Sequence, residues 1–440
     1  MAQRLYCNSA KEYRPVVLEA MKEFVGPKVF ESWPLVSRCW GAWTLALAAV
    51  LMAWERSSTL ADRFASVRHW LRQWWPKKRL GRTYQGFIKA LLRWSPWLLE
   101  RVTEALRGAM RTMADAYWRR EGLVAFAVDG SRVECPRTAA NERELGCAGR
   151  KKSGPQVFLT TLYHMGTGLP WALRWGPGTD SERNHLREMM VLLPTGSVVV
   201  ADAGFIGYEL LSALLEAGQH VLFRVGRNVR LLRELGWAVE RHGDTVYLWP
   251  QAMQRQEQPP RVLRLIVVGT GRRKVYLVTD LPEEALSQQQ AEVLYGLRWG
   301  VEVFYRSLKQ TLERRRMLSH APRQAQWEVA WSVVGLWLLG LMSVRGIIAR
   351  GHDPLSLSVA LALREVRQAL RQDRRSATRG WLLKRLGQAL KDGYRRRAAK
   401  KARHWPHKKK ERPPGRPQIV IAGPQQVQLA QRLRMKNTAA

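Results

Sequence analysis

Several things are scarce in this 440-residue chain, and each scarcity excludes something. Cysteine occurs four times, at Cys7, Cys39, Cys135 and Cys147. No two form a C-x-x-C pair and none has a histidine at zinc-finger spacing. A disulfide scaffold and a structural zinc site are therefore not expected, and the usage suits a reducing cytoplasm. Acidic residues are also few: 36 Asp and Glu stand against 73 Lys and Arg, a formal charge of +37. Long apolar runs are missing. "GAWTLALAAVLMAW" and "AWSVVGLWLLGLMSV" are the longest candidates. Both fall short of the roughly 20 residues a spanning helix needs, so they read as buried core helices rather than membrane segments. The start, "MAQRLYCNSAKEYRP", has no apolar signal core.

What is present is hydrophobic enough to fold, at 46% apolar residues. A length of 440 favours two or three domains. A basic excess this large repels itself unless a polyanion neutralises it. Nucleic acid is the leading candidate, since phosphate contacts release counterions. An anionic membrane or ribosomal RNA would satisfy the same arithmetic.

Residues 1–120 read as helical, with Trp, Leu and Ala at helical spacing and Arg and Lys between them. That texture suits DNA contact, or a bundle whose solvated face is basic. From 121 to 225 the pattern is mixed. "VAFAVDGSRVEC" and "GPQVFLTTLYHMGTGLPWALRW" give three strands. "DSERNHLREMMVLLP" gives a helix capped by Asp180 or Ser181, and "GSVVVADAGF", "GYELLSALLEAG" and "HVLFRVG" give strand, helix and strand. Residues 226–284 return to strands, and a long helical segment is expected over 287–318. The part from 285 to 348 closes with the apolar helix, and 349–440 is a basic helical region and tail. Between Arg374 and Arg416 there are 17 Lys or Arg against two acids, ending in "ERPPGRPQ". Its Gly-Arg-Pro core resembles a minor-groove hook, though a solvated basic tail explains it as well.

Three acids break the basic pattern. Asp129 and Asp202 each sit just past an apolar strand and are followed by small residues, Gly130 and Ala203–Gly204. A carboxylate there must find a partner or stay desolvated. Acids at neighbouring strand ends would repel unless a divalent cation lay between them. Oxygen ligands without His or Cys suggest Mg²⁺ or Mn²⁺. Each Asp alone could instead cap a turn. The third acid, Glu302, lies in "YGLRWGVEVFYRSLK". On a helix advancing 100° per residue, Tyr295, Arg298 and Lys309 all fall within about 40° of Glu302. Arg298 and Glu302 could be an ordinary i,i+4 ion pair worth a few tenths of a kcal/mol. That would leave Tyr295 and Lys309 on the same edge unexplained, whereas a DNA strand along the helix would use all four. Glu182, Arg183 and Glu188 on the helix after Asp180 could approach such a metal site but read as a solvated face, and His164 and His185 read as structural.

The spacing Tyr295-x2-Arg298-x3-Glu302-x6-Lys309, with Asp129 in "VDGS" and Asp202 in "ADAGF", resembles the signature of DDE transposases of the insertion-sequence-4 family. The resemblance runs from about 124 to 312. It implies an RNase H-like α/β catalytic core made of 121–225 and 285–348. It implies a β-strand insertion at 226–284 that fills the hundred positions between Asp202 and Glu302. An N-terminal helical DNA-end-binding domain at 1–120 and a basic C-terminal region at 349–440 would flank this core.

In such a protein Asp129, Asp202 and Glu302 would hold two Mg²⁺ or Mn²⁺ ions and cut DNA, and the freed 3′ end would attack target DNA. Tyr295, Arg298 and Lys309 would hold the strand. Tyr276 and Trp249 are the aromatic candidates for stacking on a flipped base. The partners implied are terminal inverted repeats, target DNA and a second copy of the chain, in a bacterial, nucleoid-associated setting without a membrane. Two other readings remain open: a catalytically silent DNA-binding descendant, and an RNase H-like nuclease without strand transfer.

Overall fold

The computed structural model describes residues 15–33, 39–148, 154–238, 244–271, 274–371, 379–393 and 415–438. The chain divides into two compact units. One comprises 1–114, 135–141 and 307–391; the other comprises 115–134, 142–306 and 392–440.

The first unit is helical. Its helices are Val16–Lys22, Ala42–Trp54, Leu60–Trp74, Tyr84–Met113, Pro322–Ile348, Val359–Arg371 and Arg379–Gly387. Both apolar runs are buried helices here. Twelve of the 13 residues of Ala42–Trp54 are buried. Pro322–Ile348 is long and apolar enough to cross a membrane, yet 89% of its most apolar window is buried inside the protein.

A helix whose end is buried leaves carbonyls without partners. At the end of Ala42–Trp54 those partners are arginines. Arg314, 2% exposed, donates to the carbonyls of Met52 (3.3 Å) and Ala53 (3.0 Å), and also to Leu312 O and Ser332 Oγ. Arg367 donates to Trp54 O at 2.6 Å. Burial brings the Arg314 guanidinium down to about 10.

The second unit is built on one ten-stranded sheet. Its strands are β1 Ala125–Glu134, β2 Gln156–His164, β3 Leu169–Pro177, β4 Val198–Ala201, β5 His220–Val225, β6 Arg230–Arg233, β7 Thr245–Leu248, β8 Arg261–Val268, β9 Val275–Thr279 and β10 Gln418–Ile421. The order across the sheet is β10-β6-β7-β8-β9-β5-β4-β1-β2-β3. β1, β4 and β5 run parallel, while β2, β3 and β9 join them antiparallel. Parallel neighbours need crossovers, which the helices Glu182–Met189 and Tyr208–Glu216 supply. β4 is Val-Val-Val-Ala and buried throughout, as a central strand covered on both faces should be.

Two elements differ from the sequence expectation. The segment 287–318 is not one helix: Gln288–Leu297 and Trp299–Arg306 are separate α-helices, and Ser307–Thr311 forms a π-helical turn. In the basic C-terminal region, Gln418–Ile421 forms a sheet strand parallel to β6, and Pro424–Thr438 is a helix. Of "ERPPGRPQ", residues 411–414 lie outside the described residues.

Replacing Arg314 by Met keeps the volume but leaves the Met52 and Ala53 carbonyls without a donor. We expect a loss of about 3 kcal/mol of stability, read from urea unfolding of the full chain. A loss under about 1 kcal/mol would mean the buried cap is not what holds this helix end.

Candidate active site

The pairing of β1 with β4 sets the height of the first two acids. Ala125 stands opposite Val198, Phe126 opposite Val199 and Ala127 opposite Val200. Continuing that register two residues brings Asp129 level with Asp202, just past the end of β4. Parallel neighbours lie about 4.8 Å apart, and residues level with each other point to the same face. Both acids are only partly buried.

Glu302 comes from the helix Trp299–Arg306, and this helix is fastened to β1 at the acid itself. The buried hydroxyl of Tyr305 donates to the Asp129 carbonyl at 2.7 Å and to the Leu159 carbonyl at 3.2 Å. Glu302 lies three residues before Tyr305, on the same side of the helix. Gly300 permits the close approach: a Cβ there would stand 2.8 Å from the Tyr163 ring on β2. Val301, Phe304 and Tyr305 are the buried residues of the helix.

Arg298 donates to Glu302 Oε1 at 2.8 Å, so the expected i,i+4 ion pair exists. The guanidinium lies over the Tyr295 ring, 5.5 Å from its centroid. Burial opposes its charge, but Tyr295, Glu302 and Asp129 together raise the Arg298 pKa. Two buried polar atoms have no hydrogen-bond partner here, the Tyr295 hydroxyl and Arg298 Nε. Buried polar atoms are nearly always satisfied, so a group that accepts hydrogen bonds suits this edge.

Burial pushes the Asp129 carboxyl up to about 7, and the charges of Asp202 and Glu302 push the same way. The Gly130 N–H and Arg298 push back. Asp129 thus senses the charges of both other acids. Among the described residues no three His, Cys, Asp or Glu side chains converge closely enough to enclose an ion as they stand; Glu302 is turned to Arg298. The donor set, all carboxylate oxygens with negative charge in excess, fits a hard divalent cation in kind.

A fourth carboxylate stands beside these. Glu182, read from the sequence as part of a solvated face, lies against both glycines that follow the aspartates. Glu182 Oε2 is 2.9 Å from the place a Gly130 Cβ would take, and Oε1 is 2.9 Å from that of Gly204. Burial, then Asp202, raises its pKa, with Arg132 and Arg183 opposing. Arg183 is likewise engaged, donating to Gly204 O (2.8 Å) and Ile206 O (2.9 Å). Glu188 is the exposed residue expected, paired with Arg174. The small residues after each Asp were the sequence signal for a close neighbour; Glu182 was one of three helix residues that could approach the site, and the solvated face was preferred for it.

The remaining candidates fall elsewhere. Lys309 lies in the π-helical turn and belongs to the helical unit. Tyr276 is half-buried on β9. Trp249 is 3% exposed, with its indole N–H donating to Gln258 O at 2.7 Å. His185 is buried between Thr160 and Asp180, and His164 bonds Thr167 and the Trp118 carbonyl. Both histidines do structural work.

Residues 120–337 match the profile of the family described as "Transposase DDE domain". Transposase InsG for insertion sequence element IS4 of Escherichia coli (strain K12) is 26% identical over 229 residues, 48% of this chain and 50% of the relative. A putative transposase for insertion sequence element IS4SA of Synechocystis sp. (strain ATCC 27184 / PCC 6803 / Kazusa) is 21% identical over 197 residues, 43% of this chain and 54% of the relative. The chain therefore spans about half the length of the curated relatives it matches, and it resembles the DDE transposases of the insertion-sequence-4 family. Among solved structures, a piggyBac transposase synaptic complex with hairpin DNA covers 87% of each chain at TM-score 0.42 and 12% identity. A likeness at that TM-score carries no argument here.

Two measurements check the electrostatics and the anchor. Asp129 has its folded pKa raised to about 7 from the ordinary carboxylate value of about 4. Its contribution to stability is therefore complete below about pH 4 and lost as pH rises through about 7. Without divalent ions, Asp129→Asn should be more stable than the parent at pH 8, by on the order of 2 kcal/mol, and equal to it near pH 4. A difference that does not change with pH would sink this account. Tyr305→Phe should cost about 1–2 kcal/mol, seen in urea unfolding, with the helix content unchanged.

Proposed function

We propose that this chain is a DDE transposase that cuts DNA at the ends of an insertion sequence and joins the freed 3′ ends to target DNA. The observation that supports the reading is the backbone placement of Asp129, Asp202 and Glu302. Two are set level by the β1–β4 register, and the third is carried by a helix fastened to the Asp129 backbone. The match of residues 120–337 to the transposase DDE domain supports it.

On this reading β1–β5 and their helices form an RNase H-like core. The order β3-β2-β1-β4-β5, three antiparallel strands followed by two parallel ones, agrees with it. β6–β9, within 226–284, would be the insertion.

Asp129, Asp202 and Glu302 would hold two Mg²⁺ or Mn²⁺ ions. When bound, such ions supply Lewis-acid activation of water and neutralise charge on a phosphodiester under attack. The chain's own residues do the rest. Tyr295 and Arg298 offer a buried hydroxyl and an unpaired Nε to a phosphate oxygen, and a guanidinium grips phosphate more firmly than a neutral donor does. Lys309 would contribute a further phosphate contact. Tyr276, the less buried of the two aromatics, is the better placed to stack on a base; Trp249 would first have to be uncovered. The terminal inverted repeats, the target DNA, action as a homodimer and a nucleoid setting complete the proposal. The basic excess of the chain supports the polyanionic partner.

The test uses purified full-length protein, Mg²⁺ and a duplex carrying the inverted repeats that bracket the gene. Wild type should nick and join. Glu302→Gln should lose at least about a thousandfold in cleavage while still binding the duplex in a gel-shift assay. Cleavage by Glu302→Gln at the wild-type rate would overturn the assignment. Nicking without any joined product would favour a plain nuclease.

A further inference from the structure

We infer that Glu182 is a fourth carboxylate of the cation site and a direct ligand, an inference that rests on the site reading above. It starts from position. Glu182 occupies the first turn of Glu182–Met189, and that turn is tied down from several sides. Arg183 ties it to the loop after β4 through Gly204 O and Ile206 O. His185 ties it to Thr160 on β2 at 2.8 Å, and to Asp180 at 3.0 Å. The Glu182 side chain is thereby held over the middle of β1 and the end of β4, where Asp129 and Asp202 stand.

The glycines show how close it comes. The point where a Gly204 Cβ would stand is 2.9 Å from Glu182 Oε1 and 3.0 Å from Asp202 Oδ1. Those two oxygens are therefore at most about 6 Å apart, a separation that a small rotation of either side chain closes around an ion with bonds of about 2.1 Å. The other oxygen, Oε2, lies as near to the Gly130 position, next to Asp129. Any side chain at 130 or 204 would take the space that this carboxylate fills. Glu182 makes no hydrogen bond or ion pair of its own among the described residues, although Arg132 and Arg183 are near enough to act on its charge. A solvated-face glutamate would not be wedged between the two backbone segments that carry the first and second acids. A ligand would be.

The experiment measures Mn²⁺ binding to metal-free, full-length protein by electron paramagnetic resonance, without DNA, in five proteins: wild type, Glu182→Gln, Glu182→Asp, Asp202→Asn and Glu188→Gln. Thermal melts confirm that each is folded. A direct ligand predicts that Glu182→Gln and Glu182→Asp both weaken Mn²⁺ by at least about tenfold, because the shorter side chain keeps the charge but not the reach. Glu188→Gln should bind as wild type does. If Glu182→Asp binds as wild type does while Glu182→Gln is weak, the residue acts only through its charge and the inference is overturned. If both Glu182 variants bind as wild type does while Asp202→Asn is weak, the inference fails and the three-acid reading stands. If Asp202→Asn also binds normally, the site reading itself fails and this inference falls with it. Should Glu182→Gln not fold, Glu182→Asp alone decides between the first two outcomes.

Discussion

The parallel pairing of β1 with β4 is the constraint on which the candidate site depends. Three rungs, from Ala125–Val198 to Ala127–Val200, fix the relative height of two chain segments separated by some seventy residues. β4 has only four residues and is wholly buried, and backbone hydrogen bonds to β1 on one side and β5 on the other hold it in place. The level placement of Asp129 and Asp202 follows from that ladder register. The same burial makes the placement costly. Asp129 lies midway along β1, which runs on to Glu134 and does not end before it as the sequence suggested, and burial there pushes its carboxyl up to about 7.

The third acid reaches this spot by a separate route. Its helix is brought in by packing of Val301, Phe304 and Tyr305, and is fixed by one hydroxyl that bonds the carbonyl of Asp129 itself. Glycine at 300 lets the helix lie near Tyr163. The precision of the arrangement therefore comes from apolar contact and from backbone hydrogen bonds. The charges themselves oppose it, and only Arg298 offsets them from the same segment.

Much of this was legible in the sequence, and the parts that were not share a cause. The alternation that gives β1, the apolar run of β4, the helical stretches and the spacing from Tyr295 to Glu302 are local patterns, and local patterns survive reading along a line. A uniform 100° wheel gave Tyr295, Arg298, Glu302 and Lys309 one edge. The chain instead starts a new helix after Arg298 and widens into a π turn at Ser307–Thr311, which changes the advance per residue before Lys309. β10 was hidden because its partner β6 lies nearly 190 residues upstream, and the basic stretch before it masks a four-residue strand. Glu182 was hidden because an acid in the first turn of a helix is an ordinary feature. Its neighbours, Gly130 and Gly204, lie on two other segments, and only the sheet brings them together.

Charge balance ties these observations to chemistry. The chain as a whole carries an excess of 37 positive charges, yet at this one place carboxylates outnumber the guanidinium that faces them. Asp129 and Glu302 share Arg298, whose charge they in turn reinforce. The deficit can be met by a proton, as the raised Asp129 carboxyl shows, or by a cation. A cation bound there would have to displace that proton. The basic excess of the whole chain favours a polyanion, which the acids alone would repel. Carboxylates that only capped turns would need neither the shared register nor the helix anchored to it. Carboxylates that meet a cation and a phosphate together need both.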